Sequence, residues 1–162
     1  STSACNILSE LIKQKQKCEL VTEAITPALL SADTSLRNNG LKFFEQLLNA
    51  GQGYDAAANA AARAIENNDQ YVRLSGLTLF DLLFKQGKAY DVAIETAIRV
   101  SQNRKKSIRS YAFRIFESLL KWQKGCEAAF ELARETLYEE NSSNKEQVYS
   151  LIAALVRCGW AY

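Results

Sequence analysis

Residues 71–87 read YVRLSGLTLFDLLFKQG. Apolar residues recur in this stretch at positions 72, 76, 77, 80, 83 and 84, which is the three- and four-residue spacing of a helix with one buried face. Gly87 follows in the position of a helical C-terminal cap. The stretch therefore predicts an amphipathic helix that ends at about Gln86.

The same pattern recurs every 36 residues without gaps. The aligned apolar positions are Leu41, Leu77, Phe113 and Tyr149, then Phe44, Phe80, Phe116 and Ile152, then Leu47, Leu83, Leu119 and Leu155. The capping glycine recurs as Gly51, Gly87 and Gly159, with Gln123 as the exception. A second helix is predicted after each turn, as from about Tyr90 to Asn103. A two-helix unit of this size cannot bury its apolar face alone, so the units are expected to stack.

The repeat predicts an all-α protein with the architecture of an α-α superhelix, a right-handed solenoid of about four and a half two-helix repeats in one domain over residues 1–162. The predicted units are residues 1–34, 35–70, 71–106, 107–142 and a partial 143–162, with nine helical segments in all. The first unit is degenerate, and Lys13, Lys15 and Lys17 are interpreted as a helix end and turn. Because the chain stops halfway through a unit, we expect either that it is part of a longer array or that Trp160 and Tyr162 stack on another group.

The composition excludes several classes of protein. Of the 162 residues, 48% are apolar and 23% charged, so disorder is not expected, and a single proline with seven glycines favours helix. No apolar run approaches the roughly 20 residues of a membrane span, and the first residues lack a secretory signal. A net charge of +2 does not by itself imply nucleic acid or an anionic membrane.

The four cysteines form no metal-binding or catalytic pattern. They are Cys5, Cys18, Cys126 and Cys158, and the chain contains no histidine to complete a zinc site. We interpret them as reduced thiols of a cytoplasmic protein. Cys126 stands where other units have tyrosine, which favours packing over nucleophilic catalysis. No phosphate loop, hydrolase or calcium-loop motif occurs, so neither a cofactor nor a metal is expected.

The start of the first helix of each unit carries a short motif. It reads DTSLR at residues 33–37, DQYVR at residues 69–73 and SIR at residues 107–109. This resembles the D-x-x-V-R signature of HEAT repeats, an armadillo-type helical repeat family. The resemblance implies helix caps at Asp33 and Asp69, and a ladder of ion pairs between neighbouring aspartates and Arg37, Arg73 and Arg109. Lys105 replaces the third aspartate, and Asn144 and Lys145 replace the apolar-Arg pair of the fourth unit, so the ladder is expected to break there.

A second resemblance remains open. Residues 51–57, GQGYDAA, together with Ala64, look like the turn and second helix of a tetratricopeptide or Sel1-like repeat. The 36-residue period is longer than the usual period of about 34, and the first helix lacks that family's Trp-Leu-Gly-Tyr order. We therefore favour the HEAT-like interpretation. Both families are helical scaffolds.

An acidic row is the second candidate for catalytic chemistry, after Cys126. Glu45, Asp81 and Glu117 recur at one repeat position, about 10 Å apart if adjacent helices pack normally. A catalytic carboxylate pair is conceivable there, but a solvated helix face is the favoured interpretation. The acidic row would be paired with the residues one turn later, which are Asn49, Lys85, Lys121 and Arg157, with i,i+4 ion pairs where the later residue is basic. The chain is therefore expected not to be an enzyme.

The first helix of each unit is predicted to offer a partner-binding surface, which the HEAT resemblance places on the concave side. Its residues are Lys42, Glu45, Leu74, Thr78, Asp81, Lys85, Tyr111, Arg114, Glu117 and Lys121. Leu74 and Tyr111 are the candidate hot spots for another protein or peptide.

The alternative partner is nucleic acid. It would use a basic cluster formed by Arg99, Arg104, Lys105, Lys106 and Arg109, with Arg114 one turn beyond. A solvated loop is the competing interpretation of the same cluster.

Overall fold

The computed structural model of the chain describes residues 2–160, including the side chains of residues 6, 7 and 9–160. Within these bounds it contains eight helices and no strand, which confirms the all-α prediction. The helices are α1 (Thr2–Leu29), α2 (Thr34–Asn49), α3 (Tyr54–Ile65), α4 (Gln70–Lys85), α5 (Tyr90–Ser101), α6 (Lys106–Leu120), α7 (Cys126–Tyr138) and α8 (Lys145–Arg157). The side chain of Cys5 and all of Tyr162 lie outside the described residues.

The first unit differs from its prediction because α1 is one continuous helix of 28 residues. The predicted turn at Lys13, Lys15 and Lys17 does not form, which is why eight helices and not nine cover residues 2–160. One period earlier than Gly51 and Gly53 the chain has Lys15 and Lys17, which disfavour a left-handed backbone. Without such a residue the helix has no stop signal and continues.

The predicted turn at the end of each even-numbered helix is confirmed. Gly51 and Gly87 have φ angles of +72° and +70°, a conformation that glycine adopts without steric cost. The next amide reaches back to the last turn of the helix, as from the Lys88 N–H to the Leu83 carbonyl at 3.0 Å. The same bond forms from the Lys124 N–H at 3.1 Å, although Gln123 occupies the glycine position with a φ of +56°. The turn is therefore a property of the repeat and not of glycine alone.

The two predicted N-terminal caps are present. The Asp33 carboxylate accepts a hydrogen bond from the Leu36 N–H at 2.9 Å, and the Asp69 carboxylate accepts from the Tyr71 and Val72 amides at 2.8 and 3.1 Å. Lys105 occupies the same position before α6 and makes no side-chain cap bond. The third unit therefore lacks the cap, as its sequence predicts.

Asp69→Ala is expected to lower the free energy of unfolding by about 1 kcal/mol, because two amides of α4 lose their acceptor. Lys105→Asp is expected to raise it by about 0.5 kcal/mol, because the extended backbone at that position is already suited to a cap. Urea denaturation followed by circular dichroism measures both. Lys105→Ala is the control, since it removes no cap. If Lys105→Asp instead lowers the free energy of unfolding, the cap position before α6 is not equivalent to the cap position before α4.

The helices pack in a regular order of contacts. The even-numbered helices contact one another in sequence from α2 to α8, and the odd-numbered helices do so from α1 to α7. The closest pairs between the two sets are α1 with α2, α3 with α4, α5 with α6, and α7 with α8. Each close pair thus joins the second helix of one sequence unit to the first helix of the next.

Three of the four close pairs, α1–α2, α3–α4 and α5–α6, have a small residue at one repeat position, whereas α8 has the buried Val148 there. A Cβ on Gly76 would lie 2.8 Å from the Ala61 carbonyl oxygen of α3, and one on Gly40 would lie 2.6 Å from the Leu29 nitrogen of α1. Ala112 occupies the equivalent position of α6 and is fully buried. The backbones of α3 and α4 therefore touch at a point where any side chain must displace them.

The core follows the predicted apolar positions in the inner units. Phe44, Phe80 and Phe116 are completely buried at one repeat position. The prediction weakens in α8, where Ile152 is half-buried and Tyr149 is 64% exposed. Within the described residues no helix packs beyond α8, so its outer face has no covering neighbour.

Candidate functional site

Nine of the ten predicted partner-binding residues share one surface, which we call the ladder face. They are Lys42, Glu45, Leu74, Thr78, Asp81, Lys85, Arg114, Glu117 and Lys121, on α2, α4 and α6. All are exposed except Asp81 and Glu117, which are half-buried. Because the helices that carry them pack side by side, the 36-residue period of the sequence becomes rows that cross the helices.

The rows of the ladder face alternate in charge. An acidic row of Glu45, Asp81 and Glu117 lies between a row with Lys42 and Arg114 and a row with Lys85 and Lys121. In a helix, residues three and four positions apart lie side by side, so the acidic row has basic side chains one turn to either side of it. The ladder face is therefore a banded surface and not a patch of one sign.

The charges of the ladder face are not paired with each other. The i,i+4 ion pairs predicted from the acidic row do not form: the ion pairs in the described part of the chain join Arg99 to Glu66 and Arg134 to Glu131. The prediction of these ion pairs was wrong. Exposed i,i+4 pairs gain only about 0.3–0.5 kcal/mol, which solvation and side-chain entropy offset. The charges of the rows thus remain available to groups outside the chain.

Tyr111 is not part of the ladder face, and the prediction that it is an exposed hot spot was wrong. Its side chain is 5% exposed, and the Arg73 and Arg114 guanidinium carbons lie 5.3 and 5.0 Å from its ring centroid. The 36-residue period aligns Tyr111 with Ser75, a buried position, whereas Leu74 aligns with Ser110. Tyr111 therefore packs beneath Arg114 and supports its position through cation–π contact.

Leu74 remains as the exposed apolar residue of the ladder face. It is 38% exposed on α4, one turn before Thr78, whose hydroxyl donates to the Leu74 carbonyl at 3.0 Å. A single exposed leucine is common on protein surfaces. Its place among unpaired charges is what makes it a candidate contact.

A cleft of about 320 Å³ extends the ladder face toward the C-terminal end. Glu117 and Lys121 of α6 line it together with Arg157 and Cys158. Arg157 follows Lys85 and Lys121 at the 36-residue spacing, so the basic row continues onto α8. The sequence contained this signal, but Arg157 was interpreted there as an ion-pairing residue of a solvated face.

The arginine ladder implied by the HEAT resemblance takes a different form. Arg37, Arg73 and Arg109 do not pair with aspartates. Each Nη1 instead donates to two backbone carbonyls of the loop before its own helix, at 3.1 Å for both Ser31 and Ala32 in the case of Arg37. Arg73 and Arg109 repeat these bonds at 2.8–3.0 Å. The carbonyls after a helix end lack partners within the helix, and these three arginines, of which Arg37 and Arg73 are buried and Arg109 is half-buried, satisfy them.

The basic cluster considered for nucleic acid is largely engaged within the protein. Arg99 pairs with Glu66, and the Lys105 Nζ donates to the Asn68 side chain. Arg109 donates to Asn144 at 3.1 Å and to Ser143 at 2.8 Å, in addition to its loop carbonyls. The other members, Arg104 and Lys106, are exposed. The five residues therefore do not form one open cationic patch.

The environment of Cys126 does not favour a reactive thiolate. Burial raises the pKa of the Cys126 thiol, and the neighbouring Cys158 thiol raises it further. A thiol held protonated in this way is a weak nucleophile. Among the side chains of residues 6, 7 and 9–160, Cys, Asp and Glu nowhere gather in the groups of three that would hold a metal ion. No helix in the same range combines the length and apolar character needed to cross a bilayer.

Comparison of this chain with protein-family models, with curated proteins and with solved structures finds no match.

Proposed function

We propose that the chain is a non-catalytic interaction module that binds another protein or peptide on its ladder face. In this proposal the eight helices form a HEAT-like, right-handed α-solenoid, and the ladder face is its concave side. The free thiols of Cys18, Cys126 and Cys158 support a cytoplasmic location, where cysteines stay reduced.

The banded charge of the ladder face is the observation that supports the proposal. Its acidic row and two basic rows leave charges unpaired across α2, α4 and α6, at a spacing of about 10 Å between helices. An extended or helical segment with a basic stripe between acidic residues complements this pattern. Electrostatic complementarity of this kind sets the register of a partner and suppresses wrong partners. Leu74 supplies an apolar contact within the same surface.

Nucleic acid is the less favoured partner. Duplex and single strands present a uniformly negative backbone, which the acidic row of Glu45, Asp81 and Glu117 repels. Arg99, Lys105 and Arg109 of the basic cluster are already bonded within the protein. Binding to an oligonucleotide that falls steeply with salt would overturn the assignment to a protein partner.

The test is a comparison of captured proteins between variants. Leu74→Asp combined with Lys85→Glu and Lys121→Glu removes the apolar contact and reverses one basic row. We expect recovery of the specific partner to fall about tenfold or more, as for the loss of an interface hot spot. Mass spectrometry of the captured material, at equal amounts of folded bait, measures the effect.

The matched control carries the same chemical changes away from the ladder face. Ile98→Asp lies at an exposed position of α5, and Lys88→Glu and Lys106→Glu reverse two exposed lysines. Its captured proteins are expected to match those of the wild type. If the ladder-face variant also matches the wild type, the proposed binding face is wrong.

A further inference from the structure

Two of the cysteines occupy a pair of positions that the repeat brings into contact. Cys126 is the first residue of α7, and Cys158 is the C-cap of α8. Two periods earlier, the same positions hold Tyr54, the first residue of α3, and Gln86, the C-cap of α4. The Tyr54 hydroxyl donates a hydrogen bond to the side-chain oxygen of Gln86 at 2.8 Å. The repeat therefore directs the side chains at these two positions toward each other.

The backbone around Cys158 has the same form as the backbone around its earlier equivalent. Gly159 has a φ of +78°, and the Trp160 N–H donates to the Leu155 carbonyl at 3.3 Å, as in the turn that follows α4. The Trp160 ring then contacts the ring of Phe130, one turn into α7, with centroids 4.6 Å apart. The end of α8 that carries Cys158 is therefore held against the first turns of α7.

The two thiols are neighbours in this contact. Both cysteine side chains are half-buried and pack against the same hydrophobic core. Burial raises the pKa of the Cys126 thiol, and the Cys158 thiol raises it further, which is an effect of short range. Cys18, the other free thiol of the described residues, lies on α1, a helix that contacts α2 and α3. The fold thus brings Cys126 and Cys158 together at one contact.

From this juxtaposition we propose that Cys126 and Cys158 form a redox-active dithiol. Oxidised glutathione closes the pair into a disulfide between the start of α7 and the end of α8, and reduced glutathione reopens it. A disulfide requires two cysteines whose side chains point toward each other at short range, and the repeat provides this at positions 126 and 158. The closed pair fastens together two helices that otherwise depend on packing alone. The proposal is independent of the ladder face.

The closing reaction consists of two thiol–disulfide exchanges. In the first, one cysteine thiol loses its proton and its sulfur attacks oxidised glutathione, whose S–S bond breaks to release one reduced glutathione that takes up the proton. In the second, the other cysteine loses its proton and its sulfur attacks the mixed disulfide, which releases a second reduced glutathione. Two electrons pass from the two cysteines to glutathione. An excess of reduced glutathione reverses both steps.

The raised pKa of Cys126 affects the rate of this exchange. The thiolate is the attacking species, so the first exchange is slow at neutral pH. The second exchange joins two groups that are already neighbours, which gives it the high effective concentration of an intramolecular reaction. We therefore expect the mixed disulfide with glutathione to be short-lived and the closed pair to accumulate.

The test is peptide mapping of the folded chain after equilibration with about 5 mM oxidised glutathione, with free thiols then blocked. Trypsin cleavage after lysine and arginine places the four cysteines in four different peptides, and those of Cys126 and Cys158 are residues 125–134 and 158–162. We expect mass spectrometry to find these two peptides joined, at about 2 Da below the sum of their masses. Excess reduced glutathione should return them as separate peptides. Recovery of each one bound to glutathione overturns the proposal.

Two serine variants serve as matched controls. Cys18→Ser removes a thiol outside the pair and should leave the joined peptides at the wild-type level. Cys158→Ser removes one member of the pair, so Cys126 is expected to be recovered reduced or bound to glutathione. A wild-type link from Cys126 to Cys5 or Cys18 would contradict the proposed pairing.

The same equilibration in about 6 M urea separates a contact of the fold from chance encounters of a flexible chain. Adjacent thiols have a higher effective concentration than two cysteines 32 residues apart in an unfolded chain. The ratio of closed to open pair is therefore expected to be about tenfold or more higher in the folded chain, at the same concentrations of glutathione. If the ratio is equal in urea, the fold does not hold the thiols together and the proposal is wrong.

Discussion

Phe80→Ala is expected to lower the free energy of unfolding by about 4 kcal/mol. Its ring is completely buried and stacks on Phe84, with centroids 5.8 Å apart and an angle of 13° between the planes. The loss combines the transfer free energy of the ring with the cost of the cavity left between helix pairs that cannot collapse freely. Urea denaturation at constant temperature, followed by circular dichroism, measures the change.

Ile152→Ala is the control at the same repeat position. Ile152 is half-buried because no helix of the described chain covers α8, so its truncation is expected to cost about 1.5 kcal/mol. The difference between the two losses of unfolding free energy measures the effect of the helices that cover the inner position, Phe80. If the two losses were equal, the terminal unit would have to be as well packed as the inner ones, which contradicts the uncovered outer face of α8.

Gly76→Val is expected to cost about 3 kcal/mol. A Cβ at this position would lie 2.8 Å from both the Ala61 carbonyl oxygen and the Ala64 Cβ, and these groups belong to the body of α3. Helix propensity works in the opposite direction for Gly76→Ala, by about 1 kcal/mol, so the smaller variant tests whether the clash outweighs propensity. Urea denaturation of both variants should show a graded loss, with valine the worse.

Thr78→Val is the control for Gly76→Val, because it places valine two residues later in α4 at an exposed position. It is expected to change the stability by less than about 0.5 kcal/mol. A Gly76→Ala variant more stable than the wild type would show that α3 and α4 are not held in close contact. Ala112 and Val148, both fully buried, occupy the same repeat position in α6 and α8, so the prediction applies to the contact of α4 with α3 and not to every unit.

Local features of the fold were predictable because they depend on residues close together in the chain. The turn after Lys85 needs a left-handed residue, which Gly87 supplies. The caps at Asp33 and Asp69 need one carboxylate three residues before an amide. The 36-residue period also predicted the buried phenylalanines, because each unit carries the same apolar helix face and buries it in the same way.

The features that were predicted wrongly depend on which groups meet across helices. Arg37 was expected beside an aspartate but donates to the Ser31 and Ala32 carbonyls, since a buried guanidinium binds whichever acceptor the packing brings near. Tyr111 was assigned to the surface, although the 36-residue period aligns it with Ser75, which is buried. The period therefore already indicated that Tyr111 is buried. The unpaired state of the ladder-face charges had no signal in the sequence, because side-chain entropy opposes exposed pairs whatever their spacing.

The sequence by itself determined the helices, their 36-residue period, the turns and caps between them, and the residues that face inward. These depend on backbone conformation and on apolar spacing along one chain segment. Only the tertiary structure decided that Gly76 marks a contact of backbones and that the outer face of α8 has no covering helix within the described residues. Those properties depend on what lies next to a helix in space, which neither propensity nor period encodes.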